Sequence, residues 1–167
     1  MEEKLAKARK LLAEVTPLKR DCGRVCGQRC CRPMEGEETG MLLMSGEEIC
    51  YREKPGWTVR ETAQGPLVIC PGRCDREERP LACRLFPLLP LPDAEGRIRV
   101  KVDLRARGVC PLVRQGLAAM DPDFIAAVQE AGECLMQKEA YADCLRRWAR
   151  EQEEWKRLRK EWGSEHV

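Results

Sequence analysis

Four thiols crowd into "RDCGRVCGQRCCRP", where Cys22, Cys26, Cys30 and Cys31 follow one another at C-x3-C-x3-C-C spacing. Three more, Cys70, Cys74 and Cys83, lie in "CPGRCDREERPLAC", and Cys110 stands directly before Pro111. Zinc and iron–sulfur clusters both take thiolate ligands, four to a site, and a short loop such as "CPGRC" lets one turn deliver two sulfurs. Eight thiols suffice for two such sites, or for one site with spares. The chain's one histidine is His166, at the penultimate position. Mixed Cys/His zinc sites and imidazole-rich copper or nickel sites are therefore nearly excluded, and any metal is held chiefly by sulfur.

Other uses of cysteine fit this pattern less well. Scattered cysteines serve as small buried hydrophobes, but these eight are clustered. The total of eleven cysteines is odd, and adjacent Cys30 and Cys31 would pair only through a strained ring. A reducing compartment also disfavours disulfides. Cys50, Cys134 and Cys144 stand apart from the clusters. Cys50 falls in a short helical stretch, and the other two in long helices with no second cysteine at i+3 or i+4. These three are expected to be ordinary buried or half-buried residues away from any site.

A buried tetrathiolate site carries net negative charge that its surroundings must offset. Arg24, Arg29 and Arg32 flank the first cluster, and Arg73, Arg76, Arg79 and Arg84 flank the second, where Asp75, Glu77 and Glu78 dilute the bias. Arg79 and Arg84 are the candidate donors to the sulfurs, Arg84 foremost. Cys110 precedes a proline at a predicted helix start, where free N–H groups and the helix dipole favour a thiolate.

"CGRVCGQRCC" taken with "CPGRCDREERPLACRLFP" resembles the YkgJ-like cysteine-cluster proteins of bacteria and archaea, a zinc- or iron-chelating family. That family has a cysteine run ending in a CC pair, then a cysteine followed by R-P-x-x-C-R-x-[FY]-P. Here the positions are Cys74, then Arg79, Pro80, Cys83, Arg84, Phe86 and Pro87, and the later Cys110–Pro111 is similar as well. The resemblance spans residues 20–113. It implies a metal-binding protein holding an iron–sulfur cluster, the favoured group, or zinc, in a structural, redox or metal-carrying role. The family includes the cysteine-rich region of flagellin lysine N-methylase, so the alternative is an S-adenosylmethionine-dependent methyl-transferring or radical enzyme, or its accessory subunit. Cys22, Cys26 and Cys30 approach the C-x3-C-x2-C arrangement of radical enzymes, with a last gap one residue longer. Against that alternative, no glycine-rich strand-to-helix turn is present, and the chain leaves little room for a barrel. There is no H-E-x-x-H and no Ser/His/Asp arrangement, and "DPD" at 121–123 reads as a helix cap followed by proline.

The elements that must position these thiols are modest. A chain of 167 residues, 43% hydrophobic and 35% charged, suits one domain, 1–167, with a limited apolar core. Thirty basic and twenty-eight acidic residues nearly balance, which argues against nucleic acid as a partner. No segment approaches eighteen consecutive apolar residues and the N-terminus lacks a signal-peptide apolar region, so a soluble, cytoplasmic protein without membrane contact is expected.

Leu5, Ala8, Leu12 and Val15 mark an N-terminal amphipathic helix within 1–16. Ser45–Glu48 has the form of a capping box before a short helix. "WTVRET" and "PLVIC" read as strands joined by a glycine turn, and "GRIRVKVDL" as another strand, whereas the prolines of "LFPLLPLP" predict an extended loop that is no central strand. Pro111 opens a predicted helix to Met120, and Pro122 a longer one. The C-terminal helix carries Tyr141, Trp148, Trp155 and Trp162 at seven-residue spacing. That stripe should pack on the first helix or the domain body, or else serve a protein partner or self-association. The expected class is α+β: a small cysteine-rich metal-binding core at 20–113 with a short β-sheet, flanked by helices at 1–16 and 121–163.

Overall fold

A computed structural model describes residues 2–32, 40–72 and 74–164, with side chains to residue 161. His166, Arg73 and the Trp162 side chain lie outside the described residues. The chain is α+β, with helices around two small antiparallel sheets.

The N-terminal periodicity produces helix α1 (Glu3–Leu11), which buries Leu5 and Ala8, with Leu12 fully buried just beyond its end. Its cover comes chiefly from α4 (Pro122–Met136). That helix starts as the sequence predicts, with Pro122 in its first turn and the Asp121 carboxylate accepting from the Asp123 N–H. The last helix, α5 (Glu139–Ser164), joins the same core through Tyr141, Leu145 and Trp148. The first and last helices thus share one apolar core, and a Lys138–Glu2 ion pair of 2.6 Å ties their ends.

The aromatic stripe is divided. Tyr141 and Trp148 are buried, while Trp155 is 51% exposed because α5 runs on past the body of the domain. The last firm anchor is Gln152, which is buried, accepts from the Leu104 N–H and donates to Asp103.

"LFPLLPLP" departs from the loop expected of it. After the short helix α3 (Leu81–Leu85), residues 88–92 form a strand that pairs antiparallel with Ile98–Val102 across the Asp93–Arg97 turn. Pro90 and Pro92 are two apart, so both donorless nitrogens fall on one edge, and a two-stranded ribbon has a spare edge to put them on. The ribbon lies under α4 so closely that a Cβ on Gly132 would stand 2.4 Å from Pro90 Cβ and 2.9 Å from Ile98 Cγ2. Only glycine permits that approach.

Three other strands form the second sheet. We number all five in chain order: β1 (Gly40–Leu42), β2 (Thr58–Thr62), β3 (Gly65–Ile69), β4 (Leu88–Pro92) and β5 (Ile98–Val102). In the three-stranded sheet β3 is central, with β1 and β2 on either side. The predicted β2–β3 pair is present in register from Thr58–Ile69 to Thr62–Gly65, whereas β1 carries no alternating pattern and was not foreseen. This sheet covers a small separate cluster of Leu43, Tyr51, Trp57 and Val68, with Cys70 and Cys74 packed against it.

Two helix expectations change. At residues 45–50 the chain makes one 3-10 turn, Glu47–Cys50, with no side-chain cap. The glutamate that matters is Glu47, not Glu48. It is completely buried and accepts from the N–H groups of Met44 and Leu81 and from Arg9, joining α1 and α3 to this turn. Residues 111–120 form two 3-10 turns, Pro111–Gln115 and Leu117–Ala119, broken at Gly116, whose φ of 76° ends the first turn.

Candidate metal centre

Cys22 and Cys26 are the ends of helix α2 (Cys22–Cys26), one turn apart and so on one face. Asp21 caps that helix by accepting from the Gly23 N–H. Gly27 and Gln28 then both take left-handed backbone angles, φ 65° and 58°, and turn the chain into a 3-10 turn that carries Cys30 and Cys31. Cys70 follows the end of central strand β3, and a turn through Gly72 leads to Cys74. Cys83 projects from α3. Cys110 precedes the 3-10 turn of residues 111–115 without capping it, and the nearby Leu112 and Val113 N–H groups, free donors of a helical start, favour its thiolate.

These eight sulfur-bearing residues, Cys22, Cys26, Cys30, Cys31, Cys70, Cys74, Cys83 and Cys110, line one cavity of about 300 Å³. The three set aside lie elsewhere. Cys134 and Cys144 are buried in α4 and α5, with Cys134 donating to the Lys4 carbonyl and Cys144 accepting from Arg147. Cys50 is exposed rather than half-buried, since its 3-10 turn sits on the surface.

The cavity is costly for sulfur anions. Burial pushes the Cys22 thiol up to about 11, with Cys26, Asp21 and Cys110 adding to the rise. Cys83 is enclosed by protein on most sides and keeps only its cavity side open. Burial first, and then the facing Cys31, Cys70 and Cys74, raise its thiol. Cys74 and Cys110 are also raised by burial. Cys30 and Cys31 approach to 3.8 Å. The contact between them splits the pair: it holds the Cys31 thiol low against burial, with help from Arg79, and raises the Cys30 thiol, to which burial adds.

The arginines sort themselves by what they touch. Arg79 lies beside the sulfurs: it attracts Cys74 and Cys31, and this attraction raises its own pKa against the opposing effect of burial. Its Nε is buried without a partner among the described residues. Arg84, the donor favoured from the sequence, also borders the cavity, but its hydrogen bonds go to the carbonyls of Arg79, Arg9 and Glu77. Arg76 likewise serves backbone, donating to the carbonyls of Leu12, Ala13 and Val15. Arg24, Arg29 and Arg32 are exposed.

Asp21, Asp103 and Arg105 on the cavity wall were not singled out from the sequence. Asp21 had a local signal, an aspartate directly before a short helical run. Asp103 and Arg105 had none, because their role is set by distant Gln152. Asp103 is buried, takes a bidentate pair from Arg105 and anchors the turn that leads to Cys110.

The donor set fits a thiophilic metal in kind, with eight sulfurs, a facing guanidinium and an unpartnered Nε around one space. Among the described residues, no three cysteine, histidine or carboxylate side chains close on a common point at coordinating distance. The sulfurs border the cavity rather than meeting within it. Also among the described residues, no helix is long and apolar enough to cross a membrane. No family model matches the chain, and no curated protein or solved structure matches it either.

Proposed function

We propose that this chain is a cytoplasmic metal-binding protein whose cavity thiols hold an iron–sulfur cluster, or zinc, in a structural, redox or metal-carrying role. The observation that carries the reading is the segregation of the cysteines: eight border one cavity and the other three do not. Burial and mutual proximity raise the Cys22, Cys74, Cys83 and Cys110 thiols, and a thiophilic cation is the counter-charge that offsets both effects. A bound cluster would supply electron transfer at this site, whereas zinc would supply a cross-link. Arg79 neutralises part of the thiolate charge at Cys74 and Cys31, and Arg84 fixes the α3 turn that presents Cys83.

The test is anaerobic purification of the full chain, followed by metal and sulfide analysis and a visible spectrum. A brown protein containing iron and sulfide, or a colourless one containing zinc, supports the reading. Cys83→Ser should lose metal and Cys144→Ser should retain it. A folded protein that takes up neither metal, or a Cys144→Ser variant stripped of metal, would overturn it.

A further inference from the structure

We infer that the eight sulfurs form two adjacent four-thiol centres, one of Cys22, Cys26, Cys30 and Cys110 and the other of Cys31, Cys70, Cys74 and Cys83, joined at the Cys30–Cys31 peptide. The inference rests on the metal-binding reading and assigns its ligands.

The division follows from how the elements meet. Cys22 and Cys26 share a face of α2, and Cys110 and Cys30 both border the same cavity within electrostatic reach of that pair. On the other side, Gly72, between Cys70 and Cys74 in sequence, lies directly on the turn carrying Cys31, for a Cβ there would stand 3.2 Å from the Cys31 carbonyl oxygen. Cys83 and Cys74 border the cavity with Cys70 and Cys31, each within electrostatic reach of both. The two groups meet where Cys30 and Cys31 come to 3.8 Å, with Arg79 attracting Cys31 and Cys74 in one group and Cys22 in the other.

Consecutive residues on a 3-10 turn point about 120° apart, which suits a CC pair that supplies one sulfur to each of two neighbours. Two four-thiolate centres would carry more negative charge than Arg79 alone can balance, and Arg76, whose hydrogen bonds go to carbonyls, stands on the same wall. The rival arrangement is a single centre that takes both members of the pair. A separation of 3.8 Å is close to the edge of a zinc tetrathiolate with Zn–S of about 2.3 Å.

Cobalt(II) distinguishes the two arrangements, because its tetrahedral thiolate absorption counts centres directly. Reduced, metal-free full-length protein is titrated anaerobically with Co²⁺, and the thiols left free are alkylated and mapped by mass spectrometry. The expected result is saturation at two equivalents with all eight thiols protected. Cys110→Ser and Cys83→Ser should each lower uptake to one equivalent. In Cys110→Ser the protected thiols should be Cys31, Cys70, Cys74 and Cys83, and in Cys83→Ser they should be Cys22, Cys26, Cys30 and Cys110. If a variant fails to fold, protection in the wild-type chain at one equivalent decides the matter, since members of one set should be protected to equal extents. Saturation at one equivalent, or a protected set drawn from both groups, overturns the two-centre assignment and leaves metal binding standing. Absence of any sulfur–cobalt absorption overturns metal binding and this assignment with it.

Discussion

Helix α4 buries Phe124, Val128, Ala131, Gly132, Cys134 and Leu135 among its fifteen residues, whereas α2, which carries Cys22 and Cys26, buries none of its five. The same contrast holds across the molecule. The helical half shares one large core from Leu5 to Trp148, while the cysteine half has the four-residue cluster around Trp57 and a wall of thiols. Apolar burial is worth about 25 cal/mol per Å², so the first half can stand on packing. The second half depends on arginines that collect carbonyls, Arg76 and Arg84 above all, and on what the thiols hold. Stability and the candidate chemistry thus draw on different parts of the fold that meet at α3, which buries Leu81, Ala82 and Leu85 in the helical core and carries Cys83.

The contrast is sharpest in paired core and surface truncations. Phe124→Ala should cost about 3–5 kcal/mol, because Phe124 is fully buried against the helical core. Val25→Ala on α2 should stay within about 0.5 kcal/mol, since Val25 is 54% exposed. Urea denaturation of both variants measures the difference, and equal costs would erase the distinction.

Glu47 lies on the seam between the two halves and should behave as core despite its charge. Its carboxylate receives Arg9 at 2.5 Å together with the Met44 and Leu81 N–H groups. Glu47→Ala leaves Arg9 without its anion and should cost about 3 kcal/mol, the low end for breaking a buried pair. The loss should reach both halves together, as one cooperative transition by circular dichroism and by Trp57 fluorescence. Two separated transitions would show that the halves are less coupled than the seam implies.

A smaller effect belongs to Gly72, whose φ of 76° and 3.2 Å approach to the Cys31 carbonyl leave no room for a side chain. Gly72→Ala should cost on the order of 1 kcal/mol and lower metal content, while leaving exchange protection in α4 and α5 unchanged. Unchanged metal content would mean that the two cysteine segments do not need this contact.

The smallest expected effect lies in the β4–β5 turn. The Asp93 carboxyl is held at about 2, since the N–H of Arg97 and the guanidinium groups of Arg99 and Arg97 outweigh the opposing desolvation. Its ordinary value is about 3.9. A folded value below the unfolded one gives stability that is present above about pH 4 and lost as pH falls toward 2. Asp93→Asn should flatten Tm against pH over that window by lowering Tm slightly near neutrality, where the carboxylate contributes, and leaving it unchanged near pH 2.

The sequence was most legible where one residue type carries the signal. The eight cysteines around the cavity were separable from Cys134 and Cys144 because they recur in short, dense segments or stand before a proline, whereas the other two sit singly in long helices. α1 was legible from its apolar period, α4 from its Asp121–Pro122 start, and the β2–β3 pair from the glycine turn between two strand-like runs. What failed was decided by distant partners. The β4 prolines are tolerated because β5 occupies one edge of the strand and leaves the other free. Glu48 looked like a cap, yet Leu81 and Arg9 select Glu47. Arg84 looked like a sulfur donor, but the carbonyls of Arg9 and Glu77 claim it and leave Arg79 facing the thiols.

X-ray absorption at the metal edge of anaerobically purified, full-length protein tests the central claim most directly, because it reads the atoms around the metal without a variant or a probe. A shell of sulfur alone at about 2.3 Å, with an iron–iron scatterer beyond it if the metal is iron, is the result expected of a cavity bordered by eight thiols. A first shell of nitrogen or oxygen, or a folded protein with no metal to measure, would contradict it.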